Sequence, residues 1–331
     1  MKRLMIAISL LGLLGVASTR AIGESPSRSE QFPIVDAHNH LNKDISAKQL
    51  IELMDKAGVS RMVLMTRYYG GPVAGGLGSD EQAHAYSKKY SGRFIPFVAG
   101  QRSILLSRER WLKPDKIAEE FLNEAEAKLK SREFFGIGEL IIWHYAYEMV
   151  QVGQGGGEVY IPVDTLLMRR LADLAAKYRV PLTIHAEGEP EVVSGMDSLL
   201  SYNQNTKVIW AHNCGRSSVE IIRNMLTRHP NLLCDLGGMQ NAPFAGYGRY
   251  WPKRTPWMFL IEDGSGNLYP EVKALFEEFP ERFLLGTDCA HTPALKNYVK
   301  RVERDRELLS SLKLETARRI AFQNAEELFA K

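Results

Sequence analysis

His38 and His40 close the segment IVDAHNH with one asparagine between them. A neutral imidazole is poor filler for an apolar interior and a good ligand for a divalent cation. At i and i+2 of an extended strand, the two rings point to the same side. Further donors recur at the ends of other apolar runs: Glu139 in FGIGEL, His185 in PLTIHAE, His212 in KVIWAHNCG and Asp288 in RFLLGTDC. A lone histidine is more often a hydrogen-bonded structural residue. Six donors at matching strand ends point instead to a metal centre. Nitrogen and oxygen donors without thiolate suit zinc first, with manganese, iron or nickel as alternatives. An ion so held can lower the pKa of bound water to about 7, which is hydrolytic chemistry.

Those donors need a scaffold that gathers strand ends. Eight strand-like runs are predicted at 33–37, 62–66, 94–99, 136–140, 181–185, 207–211, 231–236 and 282–286. Helical patterns over 46–57, 80–90, 114–130, 162–178, 218–228, 270–278, 292–309 and 314–329 lie between or after them. Ser46, Asp115 and Ser217 or Ser218 are placed to cap helices, and Gly58 to end one. Alternating strand and helix implies a parallel sheet under helices. Eight repeats suit a closed (β/α)8 TIM barrel, whose chemistry sits at the carboxyl ends of its strands. A doubly wound open sheet is second choice, because HNHLNKD is not the glycine-rich turn such a sheet carries after its first strand. The pieces GGPVAGGLG and QGGGE lack the ending of a phosphate-binding loop and read as connections.

HNH after strand one, histidines after strands five and six, and GTD after strand eight resemble the amidohydrolase superfamily. The AHNCG and LLGTD contexts, and the ending IAFQNAEELF with Asn324 and Ala325, are similar to its amidohydrolase-related branch. The likeness spans roughly residues 33–330. It implies a distorted TIM barrel, a divalent metal cofactor and a small-molecule substrate. Many members with two metals carry a carboxylated lysine after strand four, where this chain has Glu139. TatD-like nucleases use a glutamate there, but the following IIWHYAYE departs from their pattern.

Two arrangements follow from the resemblance. In the favoured one, His38, His40 and Asp288 hold one ion, His185 and His212 a second, and Glu139 bridges them. In the other, His38, His40, His185 and Asp288 hold a single ion while His212 polarises the substrate. Asp288 moves a proton in both, so Asp288 and His212 are the catalytic candidates. His144 and His291, just beyond Glu139 and Asp288, are candidates for substrate contact. Asn39, facing away from the two histidines, reads as structural, and His84 and His229 as surface residues.

The longest connection, 237–268, follows strand seven. It holds Phe244, Tyr247, Arg249, Tyr250, Trp251, Lys253, Arg254 and Trp257. Long loops on this rim act as lids or specificity walls. Arg249 there and Arg67 after strand two could grip a carboxylate.

Lys2 and Arg3, an apolar run from Leu4 to Val16 and small residues ending at Ala21 describe a signal peptide over 1–21. Residues 22–31 read as a linker, and 32–331 as the barrel domain. The leader carries three basic residues and no acid, so the formal +3 belongs to it and the remainder balances 39 basic against 39 acidic residues. A neutral surface gives no electrostatic footprint for nucleic acid or anionic membrane. The expected location is therefore periplasmic or secreted, and a homo-oligomer is left open. Cys214, Cys234 and Cys289 read as small buried hydrophobes, with one disulfide plus a free thiol as the alternative. Three functional readings stand: a hydrolase of an amide, lactone, ester or phosphoester; a non-oxidative decarboxylase of an organic acid; and a metal- or ligand-binding protein without turnover.

Overall fold

The computed structural model describes residues 32–68, 76–145, 158–242 and 258–330. In chain order its strands are β1 (Ile34–Asp36), β2 (His40–Leu41), β3 (Val59–Thr66), β4 (Phe94–Pro96), β5 (Val98–Ala99), β6 (Ile137–His144), β7 (Val159–Tyr160), β8 (Leu182–Ala186), β9 (Val208–Trp210), β10 (Leu232–Asp235) and β11 (Phe283–Leu284). Every neighbouring pair around the barrel is parallel, and only β7 runs antiparallel, against the end of β6. Ala37 N donates to Leu285 O at 2.8 Å and Asp288 N to His38 O at 2.8 Å, which joins the last strand to the first.

All eight predicted strands are present, and the third is divided. β4 pairs with β3 and β5 with β6, with Phe97 at the break. Phe97 N still donates to Leu64 O, and Val98 N to Gly136 O, so the wall stays continuous across the kink. β2, beside Met65 and Thr66, prolongs the first strand past the bend that carries His38 and Asn39. Inside the barrel, Val35, Val63, Ile95, Ile209 and Leu284 form one apolar cluster with Ala325 and Phe329 of the last helix, so that helix closes the barrel end away from the histidines. Asn324 fixes it there by donating to the carbonyls of Pro280 and Phe283. Among the described residues, no helix is long and apolar enough to cross a membrane.

The capping signals act as their residue types require. Ser46 and Gln49 form a reciprocal capping box, Asp115 accepts from Ala118 N and Ser218 from Ile221 N. Gly58 takes the left-handed conformation that ends the first helix. Two helical expectations are corrected. The helix after β7 begins at Leu166 rather than Pro162, because Thr165 is the residue that caps it. The helix Pro190–Tyr202, between β8 and β9, was not predicted at all. A Cβ on Gly195, in the middle of this helix, would sit 3.0 Å from Val163 Cβ, so close packing is what calls for glycine.

Candidate metal centre

The strand ends bring His38, His40, Glu139, His185, His212 and Asp288 into one buried cluster. His38 Nε2 and His40 Nε2 are 3.3 Å apart. Asp288 Oδ1 lies 3.4 Å from His40 Nε2 and 3.7 Å from His38 Nε2. On the other side, His185 Nδ1 and His212 Nε2 are 2.8 Å apart. Glu139 stands between the two groups. Its Oε1 is 3.0 Å from His185 Nδ1, 3.3 Å from His212 Nε2 and 3.6 Å from His38 Nε2, and its Oε2 is 3.5 Å from His40 Nε2.

The outer ring nitrogens decide what faces inward. His38 Nδ1 donates to Asp235 Oδ2 at 2.9 Å, His185 Nε2 to Glu187 Oε1 at 2.9 Å, and His212 Nδ1 to the Gly237 carbonyl at 2.8 Å. Each of those partners only accepts, so each ring carries its proton on the outside and turns a lone pair to the centre. The result is acceptor against acceptor at hydrogen-bond distance: three imidazole nitrogens and the Glu139 carboxylate, nearly sealed from water. Something positive has to lie between them, and a divalent cation fits this donor set. The same negative field would otherwise draw protons. Burial works against charging His38, yet Asp235 and Glu139 push it up to about 10. Burial likewise opposes charge on His185, which Glu139 and Glu187 raise to about 9. His212 goes the other way, lowered by burial and by the positive Arg216 and His185. Burial alone would raise the Asp288 carboxyl, but hydrogen bonding to His40 and the nearby imidazoles hold it well below its usual value.

The profile of the Amidohydro_2 family, described as amidohydrolase, matches residues 35–331. The chain belongs to this family. No curated protein matches it. Among solved structures, the fold of this chain is similar to that of an uncharacterised TIM-barrel protein from Bordetella bronchiseptica, at 15% identity and TM-score 0.57 over 90% of this chain and 99% of that one. It is also similar to 2,6-dihydroxybenzoate decarboxylase in complex with 2,6-dihydroxybenzoate (15%, TM-score 0.52, 90% and 99%) and to an amidohydrolase from Burkholderia multivorans with bound HEPES (13%, TM-score 0.51, 90% and 99%).

In this chain, His212 is set by an uncommon backbone. His212, Asn213, Cys214, Gly215 and Arg216 all have positive φ, between 51° and 68°. The left-handed region costs a residue with a Cβ about 1–2 kcal/mol, so the surroundings must impose this turn. Gly188 N donates to Gly215 O, Ser217 Oγ to Cys214 O and His212 N to Asp235 Oδ1. A Cβ on Gly215 would meet Ala186 O at 2.4 Å, which explains the glycine. Cys214 is bonded to Cys234, with Cα atoms 4.9 Å apart. This corrects the reading of all three cysteines as unpaired hydrophobes: the turn folds residue 214 back over the neighbouring strand. Cys289 alone is free, and burial pushes its thiol up to about 12.

At the rim, Arg67 donates through Nε to Gln101 Oε1 at 3.1 Å and through Nη1 to Ala290 O and His291 Nδ1, both at 2.6 Å. Burial and the Arg67 charge lower His291 to about 4. His144 ends β6 with its ring 5.2 Å from that of His185. Arg249 and the aromatic stretch from Phe244 to Trp257 lie outside the described residues. Asn39 has the structural role expected, donating to Asp36 and Thr287. His229, expected at the surface, is buried and bonded to Asp197, whereas His84 is half-buried on Phe134.

Four residues escaped the sequence reading. Asp235 ends β10, and Gln101, just past β5, donates to Glu139 Oε2 at 2.6 Å. Both occupy strand-end positions, so inspecting every strand end for any polar residue would have found them. Glu187, two residues past His185, is sealed in the interior, where Arg216 Nη1 donates to both its oxygens at 2.6 Å. Burial would raise the Glu187 carboxyl, but Arg216 and His185 hold it down at about 2. No local signal pairs Glu187 with Arg216, because they sit 29 residues apart.

Proposed function

We propose that this amidohydrolase is an exported hydrolase of a small molecule that works with two divalent ions, zinc first. The observation that carries this reading is Glu139 between two groups of imidazole nitrogens, those of His38 and His40 on one side and those of His185 and His212 on the other. Charge supports two ions. Glu139, Asp288 and Asp235 bring three negative charges, while Glu187 is matched by Arg216. One divalent ion leaves the interior negative, whereas two and an anionic nucleophile balance it. His38, His40 and Asp288 would hold one ion, His185 and His212 the other, with Glu139 shared.

Bound there, the ions would activate water and polarise the substrate's electrophilic oxygen. The residues do the rest. Asp235, Glu187 and Gly237 O hold three rings in the tautomer that keeps lone pairs inward. The Asp288 side chain is the most exposed of these site carboxylates at 15%, against 3% or less for Glu139, Asp235 and Glu187, so it faces the side from which substrate arrives. It takes the proton of the attacking water and returns it to the leaving group. In the single-ion arrangement His212 would polarise the substrate only by carrying a second, inward proton on Nε2, which burial and the charges of Arg216 and His185 oppose. Elemental analysis of purified protein should give close to two equivalents of metal per chain. A firm value of one, unchanged after adding zinc, would reject the two-ion arrangement.

Arg67 supports an acidic substrate, since its guanidinium is held at the rim beside His291 and the Ala290 carbonyl. Arg67→Met is expected to raise KM for acidic substrates at least ten-fold more than for neutral analogues, and an equal rise for both would remove that assignment. The same placement favours decarboxylation of an organic acid as the second reading, in line with the likeness to 2,6-dihydroxybenzoate decarboxylase. Carbon dioxide release without incorporation of solvent oxygen would select it. Export is supported by the leader pattern and by the Cys214–Cys234 disulfide, a bond at home in an oxidising compartment. Secretion of full-length chain with cleavage near Ala21 would test it.

A further inference from the structure

We propose that the Cys214–Cys234 disulfide is a positioning brace for the metal centre, a role that rests on the metal-dependent reading above. Both half-cystines are fully buried, and each adjoins a group that shapes the site. Cys214 lies two residues past His212, in the middle of the left-handed turn. Cys234 immediately precedes Asp235, whose carboxylate accepts from His38 Nδ1, His212 N and Gly237 N. Gly237 O in turn accepts from His212 Nδ1. The bond therefore closes a ring that runs from the turn through β10 and Asp235 back to His212.

Its position depends on the handedness of the turn. In the β9–β10 register Cys234 is paired with Trp210, four residues before Cys214. Only a chain that coils back on itself after Trp210 returns residue 214 to the level of Cys234, whereas an extended continuation would carry it away along the strand direction. His212, Asn213, Cys214 and Arg216 all hold positive φ that L side chains rarely adopt. Non-covalent ties also hold the turn, among them Gly188 N to Gly215 O, Ser217 Oγ to Cys214 O, His212 N to Asp235, Phe259 N to Arg216 O and the Arg216–Glu187 ion pair, but the disulfide is the covalent one and joins the turn directly to the residue before Asp235. Relaxation of the turn moves His212 off the cluster and frees Asp235, so donors on both sides of Glu139 lose their setting.

The test is zinc affinity, measured by competition with a chromophoric chelator well below the unfolding temperature. Alanine is used because free thiols would themselves bind zinc. C214A/C234A is expected to bind zinc at least ten-fold more weakly than wild type. C214G/C234A should recover part of that loss, since glycine takes positive φ without a Cβ clash. A crosslink that serves stability alone would lower the unfolding midpoint and leave zinc affinity within two-fold, and that result overturns the brace. Should the variants not fold, cobalt(II) titration of wild type before and after reduction with a phosphine and blocking of the released thiols by alkylation decides it. Weaker cobalt binding by the reduced and alkylated protein supports the brace, and an unchanged spectrum and affinity overturn it. Wild type that binds neither metal overturns the metal-dependent reading and the brace together, whereas equal binding by wild type and variants overturns the brace alone.

Discussion

Replacing Asp288 by asparagine is expected to lower kcat at least 10³-fold while the folded chain keeps most of its metal. The substitution preserves shape and leaves one oxygen facing His40 and His38, the atoms it approaches at 3.4 and 3.7 Å. What it removes is basicity, so the proton of the attacking water loses its acceptor. A positioned general base contributes roughly 10²–10⁴-fold, and Asp288 has to serve both in attack and in departure of the leaving group. Among the described site residues, the inward nitrogens of His38, His40, His185 and His212 would be taken up by the ions. His38, His185 and His212 already carry protons on their outer nitrogens, locked by Asp235, Glu187 and Gly237 O. The other carboxylates are buried, Glu139 between the histidines and Asp235 and Glu187 on their outer nitrogens. Turnover and elemental metal content, measured on one preparation, check this. If the variant keeps turnover within ten-fold of wild type, Asp288 is not the proton acceptor. If wild type turns over nothing in a panel of amides, lactones, esters, phosphoesters and organic acids, the non-catalytic binding reading gains instead.

The cluster was legible because a parallel barrel converts position along the chain into position in space. A donor at the end of a strand reaches one common rim whatever its sequence number, so His38, His185 and Asp288 could be placed together without coordinates. The supporting shell was less legible. Asp235 follows an apolar run just as His185 does, but an acid beside a cysteine carries no motif of its own. Glu187 and Arg216 meet because the left-handed turn after β9 reverses the chain, and nothing local in AHNCGR announces five consecutive positive φ values. The disulfide was hidden for the same reason, since its closure depends on that turn. The sequence reading placed no helix over 190–202, where the structure has Pro190–Tyr202 with Gly195 packed closely on Val163.

Arg216→Met should destabilise the fold by about 3–5 kcal/mol, because it strands a buried carboxylate whose cation is gone. Glu187 is inaccessible to solvent and Arg216 almost so, which leaves water no route to replace the lost partner. His185 is the remaining donor to Glu187, and a single imidazole N–H is a weak substitute for a guanidinium that touches both oxygens. Denaturant unfolding of wild type and variant, at equal metal saturation, measures the loss. The paired change E187Q/R216M separates charge from packing, since it removes both charges while keeping similar volume. It should recover more than half of the stability lost by R216M, yet not the metal affinity, because glutamine is a poorer anchor for His185 than a carboxylate. A loss below about 1 kcal/mol for R216M would mean that solvent reaches Glu187 in solution. The charge balance that favours two ions over one would then have to be drawn again with Glu187 as a fourth uncompensated acid.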